Sequence, residues 1–323
     1  MNKFSAPILR LLRKINYKIE KRRGIDLDFS SIEENGNKII YEALIDSQPK
    51  MIARLGATET LCLYNYLGVK QPLYHQKFLS YIKGETPPWW WNQSSLKQLK
   101  EWSGFFPSTE SAVERFCELM ITDMPECDVL GSWLPEEKFF KSELQSSRKI
   151  MLEELTPFFA TTTPWTKALE NKKVLVVHPF TNTIAKQYKK RELLFDNNLL
   201  PHFELITLKA VQSIADEKTP FSTWFDALNY MSDQIDKVDY DICILGCGAY
   251  GFPLAAHIKR KGKKAVHLGG ATQLLFGIRG KRWEDENYNK QYNYSALMNE
   301  YWVRPSEDEI PDGAKKVEGA CYW

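Results

Sequence analysis

A chain of 323 residues, 43% of them hydrophobic, is long enough to bury a large core in one big α/β domain or two small ones. Its 43 Lys and Arg nearly balance 41 Asp and Glu, a net charge of +2, so no overall field argues for a nucleic-acid partner. The six cysteines form no C-x-x-C pair, which points away from zinc and from a disulfide framework, and the lack of an apolar span or signal peptide predicts a cytoplasmic protein.

Residues 1–24 hold eight Lys or Arg and one acid, with Phe4, Ile8, Leu11, Leu12, Ile15 and Ile19 at helical spacing. This pattern predicts a basic amphipathic helix. Two roles fit it: peripheral attachment to an anionic membrane at the inner face of the cell, or docking on the protein body or a second subunit. The remainder, 25–323, reads as a single α/β domain with an internal seam near 160–165, where Thr161-Thr162-Thr163-Pro164 forms a turn.

Lys38 to Leu44 has a helical pattern, and Met51 to Leu55 reads as the first strand. Gly56-Ala57-Thr58-Glu59 then opens a helix, so Arg54 and Glu59 flank a strand-to-helix turn where ligands often bind. An acid in a helical first turn is also favoured by the helix dipole alone. Residues 70–102 read as an irregular or partly helical insertion carrying Trp89-Trp90-Trp91. A helix follows from Ser108 to Met124, with Ser108 as its cap, then a strand at Val129–Trp133 and a long helical stretch from Glu136 to Phe158.

The second half alternates strand and helix. Strands are predicted at Lys173–Val177, Glu204–Leu208, Asp241–Leu245 and Ala265–Leu268, with helices at Trp165–Glu170, Ile184–Phe195, Trp224–Ile235 and Phe252–Lys261. Thr181 or Thr183 is placed to cap the Ile184 helix, and His178 stands at the carboxyl end of its strand. Alternation of this kind implies a Rossmann-like, doubly wound, mostly parallel sheet with ligands at the carboxyl ends of its strands.

Gly246, Gly248 and Gly251 spell G-x-G-x-x-G between a strand and a helix, where glycines can admit a phosphate to backbone N–H groups. They serve equally well as tight turns and close helix packing. A dinucleotide site would need an acid near the end of the next strand; that strand ends instead in Gly269-Gly270-Ala271-Thr272-Gln273, so NAD is not expected.

The segment Ile52-Ala53-Arg54-Leu55-Gly56-Ala57-Thr58-Glu59 resembles the Arg-Phe-Gly-Asp-x-Glu segment of the GT-D fold bacterial glycosyltransferases. The block from Gly246 to Trp283 is similar to the carboxyl-terminal segment of GT-D-like proteins from surface-polysaccharide gene clusters. This resemblance implies transfer of a sugar from a nucleoside-diphosphate sugar to a glycan or lipid-linked acceptor in capsule or lipopolysaccharide assembly. It implies Glu59 as general base or metal ligand, and Arg54 and Gly56 at the pyrophosphate. The glycine motif itself places Gly246, Gly248, Tyr250 and Gly251 to admit the nucleotide, strand-end position places His178, Gly269, Gly270 and Gln273 to border the sugar or base, and Arg279, Lys281 and Arg282 lie near the glycine block as cations to stabilise the diphosphate. The family's D-x-E acids serve a divalent cation, manganese or magnesium, but Ala57 stands at the Asp position here and leaves Glu59 alone. A catalytically inert nucleotide- or glycan-binding protein is the alternative reading.

Overall fold

The computed structural model of the chain describes residues 5–22, 32–214, 217–317 and 319–323. Helix α1 spans Ser5–Arg22 and α2 Gly36–Ile45; β1 (Lys50–Ala53) is followed by α3 (Ala57–Lys70), α4 (Phe78–Ile82), α5 (Gln93–Ser103) and α6 (Glu110–Asp123). Then come β2 (Val129–Ser132), β3 (Arg148–Met151), β4 (Lys173–His178), α7 (Thr181–Tyr188), α8 (Arg191–Leu194), β5 (Glu204–Lys209) and α9 (Trp224–Ile235). The chain closes with β6 (Ile242–Leu245), α10 (Gly251–Arg260), β7 (Lys264–His267), α11 (Thr272–Leu275), α12 (Lys281–Glu284) and a tail of short turns.

The seven strands among the described residues join one parallel sheet in the order β3-β2-β1-β7-β6-β4-β5. The α/β, doubly wound architecture is therefore as the alternation implies. Central strands are apolar on both faces, since each face carries its own helical layer: β6, Ile242-Cys243-Ile244-Leu245, is buried at every position. One core holds Leu63 of α3, Phe116 of α6, Trp224 of α9 and Leu254 of α10. The opposite core holds Ile40 of α2, Trp165, Ile184 of α7, Leu274 of α11 and Trp302 of the tail. The segment around 160–165 is part of the crossover that carries the chain from β3, at one edge, to β4 near the other.

Several local expectations are corrected. Glu136 to Phe158 is not a long helix: short 3-10 turns flank β3, an edge strand whose Arg148 and Lys149 obscure its strand pattern. The helix from Ile184 to Phe195 starts earlier and breaks after Tyr188. Neither Thr181 nor Thr183 caps it. The carboxylate of Glu309, delivered by the tail, accepts from the N–H groups of Asn182 at 2.7 Å and Thr183, and from the Thr183 hydroxyl. A buried acid there satisfies amides that have no intrahelical partner and complements the helix dipole. The cap of α6 is Thr109, which accepts from Ala112 N–H at 3.3 Å, rather than Ser108. Helix α9 begins where predicted, because Thr223 and Asp226 form a reciprocal capping box.

All six cysteines are free and buried. No helix among the described residues is long and apolar enough to cross a membrane. Helix α1 packs beside α4, with residues 1–4, 23 and 24 of the basic arm outside the described residues.

Candidate functional site

From β1 the chain moves outward to β2 and β3, whereas β7 is reached from β6 on the other side. Loops after β1 and β7 therefore diverge, and a crevice opens above the carboxyl ends of these neighbouring strands. A cleft of about 350 Å³ occupies it, walled by Arg54, Glu59, Trp133, His267, Arg282 and Tyr322 among others.

Arg54 leaves the end of β1 with its guanidinium over the Trp133 ring, 4.6 Å from the centroid. The carbonyl of Leu55 fixes both partners, accepting from Arg54 Nε at 3.4 Å and from Trp133 Nε1 at 3.0 Å. Stacking and the Nε bond leave the terminal nitrogens of the guanidinium for the cleft. Burial lowers the pKa of Arg54, and the nearby groups Tyr322 and Glu59 oppose that shift.

Glu59, in the first turn of α3, is buried. Its pKa is raised, chiefly by burial, while bonds from its own N–H and from the Ser103 hydroxyl and the charge of Arg54 pull the other way. The carboxylate folds back over Gly56, where an added Cβ would lie 1.9 Å from Oε2. Gly56 caps α3 in an extended conformation with no side-chain bond, so the amides of Ala57 and Thr58 have no side-chain cap beside the cleft. Arg282, also on the wall, lies 4.8 Å from the Tyr322 ring centroid and donates through its terminal nitrogens to the Tyr322 hydroxyl at 3.4 Å and to Cys321 Sγ at 3.2 Å. Two arginines, a helix N-terminus and one acid with raised pKa make a setting suited to an anion.

A second, smaller pocket lies over β4 and β6, bordered by His178, Phe180, Ser213, Tyr250, Gln273 and Trp323. Trp102, Ser103, Gly248, Gly270 and Tyr322 line both spaces, so the two adjoin. Burial drives the His178 pKa down to about 3, and its Nδ1 accepts from Phe180 N–H at 3.0 Å. The ring is thus neutral with its proton on Nε2. Trp323 Nε1–H is buried without a partner among the described residues. Tyr250 is committed elsewhere: its hydroxyl lies 2.9 Å from Ser213 Oγ, which donates to the Gly104 carbonyl.

The glycines divide by what they face. A Cβ on Gly246 would lie 2.5 Å from His178 Cδ2, and one on Gly251 would lie 2.1 Å from His267 Cε1. The close approaches these two permit are taken by histidine rings. Gly248, at φ 58°, would bring a Cβ no closer than 3.7 Å to its nearest neighbour, the Ser103 carbonyl oxygen, and borders both pockets. Gly269 has φ 61° beside Arg54, and Gly270 packs against the Tyr322 ring, both on the cleft wall.

Three expected ligand contacts have other work. Arg279 donates through Nε and a terminal nitrogen to the Trp302 carbonyl at 3.0 and 2.8 Å, and Lys281 points to the Gly319 carbonyl. Neither is on the wall of either pocket. Gln273 borders the smaller pocket, but its Nε2 holds the carbonyls of Ile278, Arg279 and Tyr322. Sequence reading missed Trp133, Ser103, Tyr322 and His267. The last was within reach: it ends β7 as His178 ends β4, and it is likewise neutral, its pKa pushed down to about 3 chiefly by burial.

The residues present do not fit a divalent cation in the manner the family resemblance implies. Glu59 is the one carboxylate on the described walls of the cleft, and its raised pKa weakens it as a ligand. No group of three His, Cys, Asp or Glu side chains among the described residues is placed to hold a metal. Comparison with protein-family models, with curated proteins and with solved structures finds no match.

Proposed function

We propose that the chain is a glycosyltransferase that takes a nucleoside-diphosphate sugar and passes the sugar to a hydroxyl of a glycan or lipid-linked acceptor. One observation carries this reading: two arginines and the Ala57 and Thr58 amides at the start of α3 converge with a buried carboxylate in the β1/β7 crevice, next to a largely apolar pocket. The diphosphate lies against Arg54, Arg282 and the amides of Ala57 and Thr58. The nucleoside, which carries no charge, enters the pocket between β4 and β6, where His178 Nε2–H and Trp323 Nε1–H offer donors to ring carbonyls.

Glu59 accepts the proton of the acceptor hydroxyl, and burial makes it a stronger base than an ordinary carboxylate. The acceptor oxygen bonds to the anomeric carbon as the bond from that carbon to the diphosphate oxygen breaks. The electron pair leaves with the nucleoside diphosphate, whose added negative charge the arginines and helix amides stabilise. This chemistry uses the protein's own cations in place of a metal. Assembly of capsule or lipopolysaccharide as the setting rests on the family resemblance alone.

A second reading follows from Ala57: with one carboxylate where the family has two, the fold can bind a nucleotide or glycan and support an assembly complex without catalysis. Melting temperature measured with UDP, GDP, CDP, their sugars and NAD, with and without manganese, tests both. A ligand bound only by the native state raises it. Stabilisation by a nucleotide sugar together with donor hydrolysis or transfer supports the enzyme. Stabilisation with no turnover, and no change in binding on Glu59→Gln, supports the binding protein; stabilisation by NAD alone overturns both.

A further inference from the structure

Helix α1 presents the wrong face to the protein for a helix that is merely docked. Leu9, Arg13 and Asn16, spaced along one side, face the body. Leu9 is buried, Arg13 donates to the Thr86 carbonyl and the Tyr64 hydroxyl at 3.2 Å each, and the guanidinium sits 4.7 Å from the Tyr81 ring centroid. The buried Asn16 amide nitrogen finds no partner among the described residues. The apolar stripe at i, i+3, i+4 and i+7, formed by Ile8, Leu11, Leu12 and Ile15, is turned outward with each residue 41–59% exposed. Helix α4, packed beside α1, adds Phe78 at 49% and Leu79 at 75% exposure.

An amphipathic helix that buries a mixed polar stripe and exposes its apolar one has a further occupant for the exposed face. Charge selects which. Lys14 and Lys18 of α1 are exposed, as are Lys77 and Lys83 at the two ends of α4, and residues 1–24 carry eight basic groups against one acid. A second copy of this face, laid on the first, would oppose like charges and leave them unpaired. An anionic bilayer surface supplies both the apolar depth and the counter-charge.

We infer that α1 and α4 together form a membrane-docking face, held rigid by Arg13, through which the protein lies on an anionic lipid surface. The inference is independent of the chemistry in the cleft. It differs from attachment by a loose arm, because Phe78 and Leu79 belong to the body and contribute to the same face. The charged rim steers the protein to anionic lipid, and insertion of the apolar side chains holds it there.

The test is co-sedimentation of the full chain with phosphatidylcholine vesicles, with and without phosphatidylserine, at low and high salt. Expected is sedimentation with the phosphatidylserine vesicles, reduced by salt, and little with phosphatidylcholine alone. Leu11→Asp with Ile15→Asp, and separately Leu79→Asp, should each lower the partition by about tenfold or more, with melting temperature unchanged because these side chains are exposed. A wild-type chain that ignores both vesicles overturns the inference, as does Leu79→Asp sedimenting like wild type. So does a solution dimer that the Leu11→Asp, Ile15→Asp variant dissociates while vesicle binding stays absent.

Discussion

The carboxylate of Glu59 occupies the space that any side chain at position 56 would need: an ideal Cβ on Gly56 stands 1.9 Å from Oε2 and 2.6 Å from Cδ. The backbone at Gly56 is ordinary extended chain, φ −78°, so the glycine is required by proximity and not by conformation. Gly56→Ala must therefore move Glu59 and leave the backbone largely intact. Transfer or donor hydrolysis should fall about 100-fold, as for a misplaced catalytic group, with a loss in melting temperature of only a few degrees. Glu59→Gln should match that loss of turnover while keeping donor affinity within a few-fold. An active Gly56→Ala enzyme would remove Glu59 from the proposed role.

Gly251 and Gly248 separate two reasons for a glycine in the same motif. Gly251 has helical φ and ψ, but its Cβ would meet the His267 ring at 2.1 Å; Gly248 has φ 58° and no atom nearer than 3.7 Å. Gly251→Ala should cost about 1–3 kcal/mol through forced repacking of α10 on β7. Gly248→Ala should cost about 1 kcal/mol from the left-handed backbone, with Gly248→Asn milder. Chemical denaturation of the three variants reads this order directly. The reverse order would mean that the ring of His267 moves aside freely.

These glycines mark how far the sequence is legible. The strand-turn-helix rhythm is read correctly from apolar runs such as Val174–Val177 and Ile242–Leu245, because a sheet covered on both faces needs continuous hydrophobicity. Arg54 and Glu59 are visible because they flank one turn. What pairs with them is not: Trp133 reaches the Leu55 carbonyl from 78 residues away, and no local pattern encodes that contact. The same holds for Glu309, whose bond to Asn182 spans 127 residues. Edge strand β3 is hidden because a strand half in solvent carries charges that read as helix. The G-x-G-x-x-G pattern is visible too, but two of its three openings are filled by His178 and His267, which reach them from other strands and leave no mark on the motif.

The buried His178 should make the protein sensitive to acid. Its pKa in the folded state is about 3, below the ordinary 6.5, with burial the cause. Between those values the unfolded chain binds the extra proton, so this group's contribution to stability is complete above about pH 6.5 and is lost as pH falls toward 3, by up to about 1.4 kcal/mol per pH unit. His267 acts in the same direction. Asp123, pushed up to about 6, and Glu59, also raised, bind a proton more tightly when folded and oppose the trend over part of that window. The signature is therefore a difference. Urea denaturation from pH 7.5 to 5 should show wild type losing stability more steeply than His178→Gln, and parallel curves would mean that His178 takes up a proton within the fold.

Arg54, just after β1, and Arg279, just after α11, should fail in opposite ways. Arg54 is braced by Trp133 and Leu55 with its terminal nitrogens toward the cleft, whereas Arg279 spends two donors on the Trp302 carbonyl and lies off the cleft wall. Arg54→Ala removes a charged donor from the diphosphate, so donor Kd should rise about 10- to 100-fold, corresponding to roughly 1.5–3 kcal/mol for hydrogen bonds to a charged group. Arg54→Lys should recover only part of this, because an ammonium can neither stack on Trp133 nor present the planar fork. Arg279→Ala leaves the Trp302 carbonyl short of two donors and loosens the tail, so it should lower stability by about 1–3 kcal/mol with donor Kd unchanged. Calorimetric titration with a nucleoside diphosphate, paired with denaturation of each variant, separates the outcomes. Equal loss of affinity in both would place the diphosphate nearer the tail than the β1 turn, and no loss on Arg54→Ala would remove the anion site from the β1/β7 crevice.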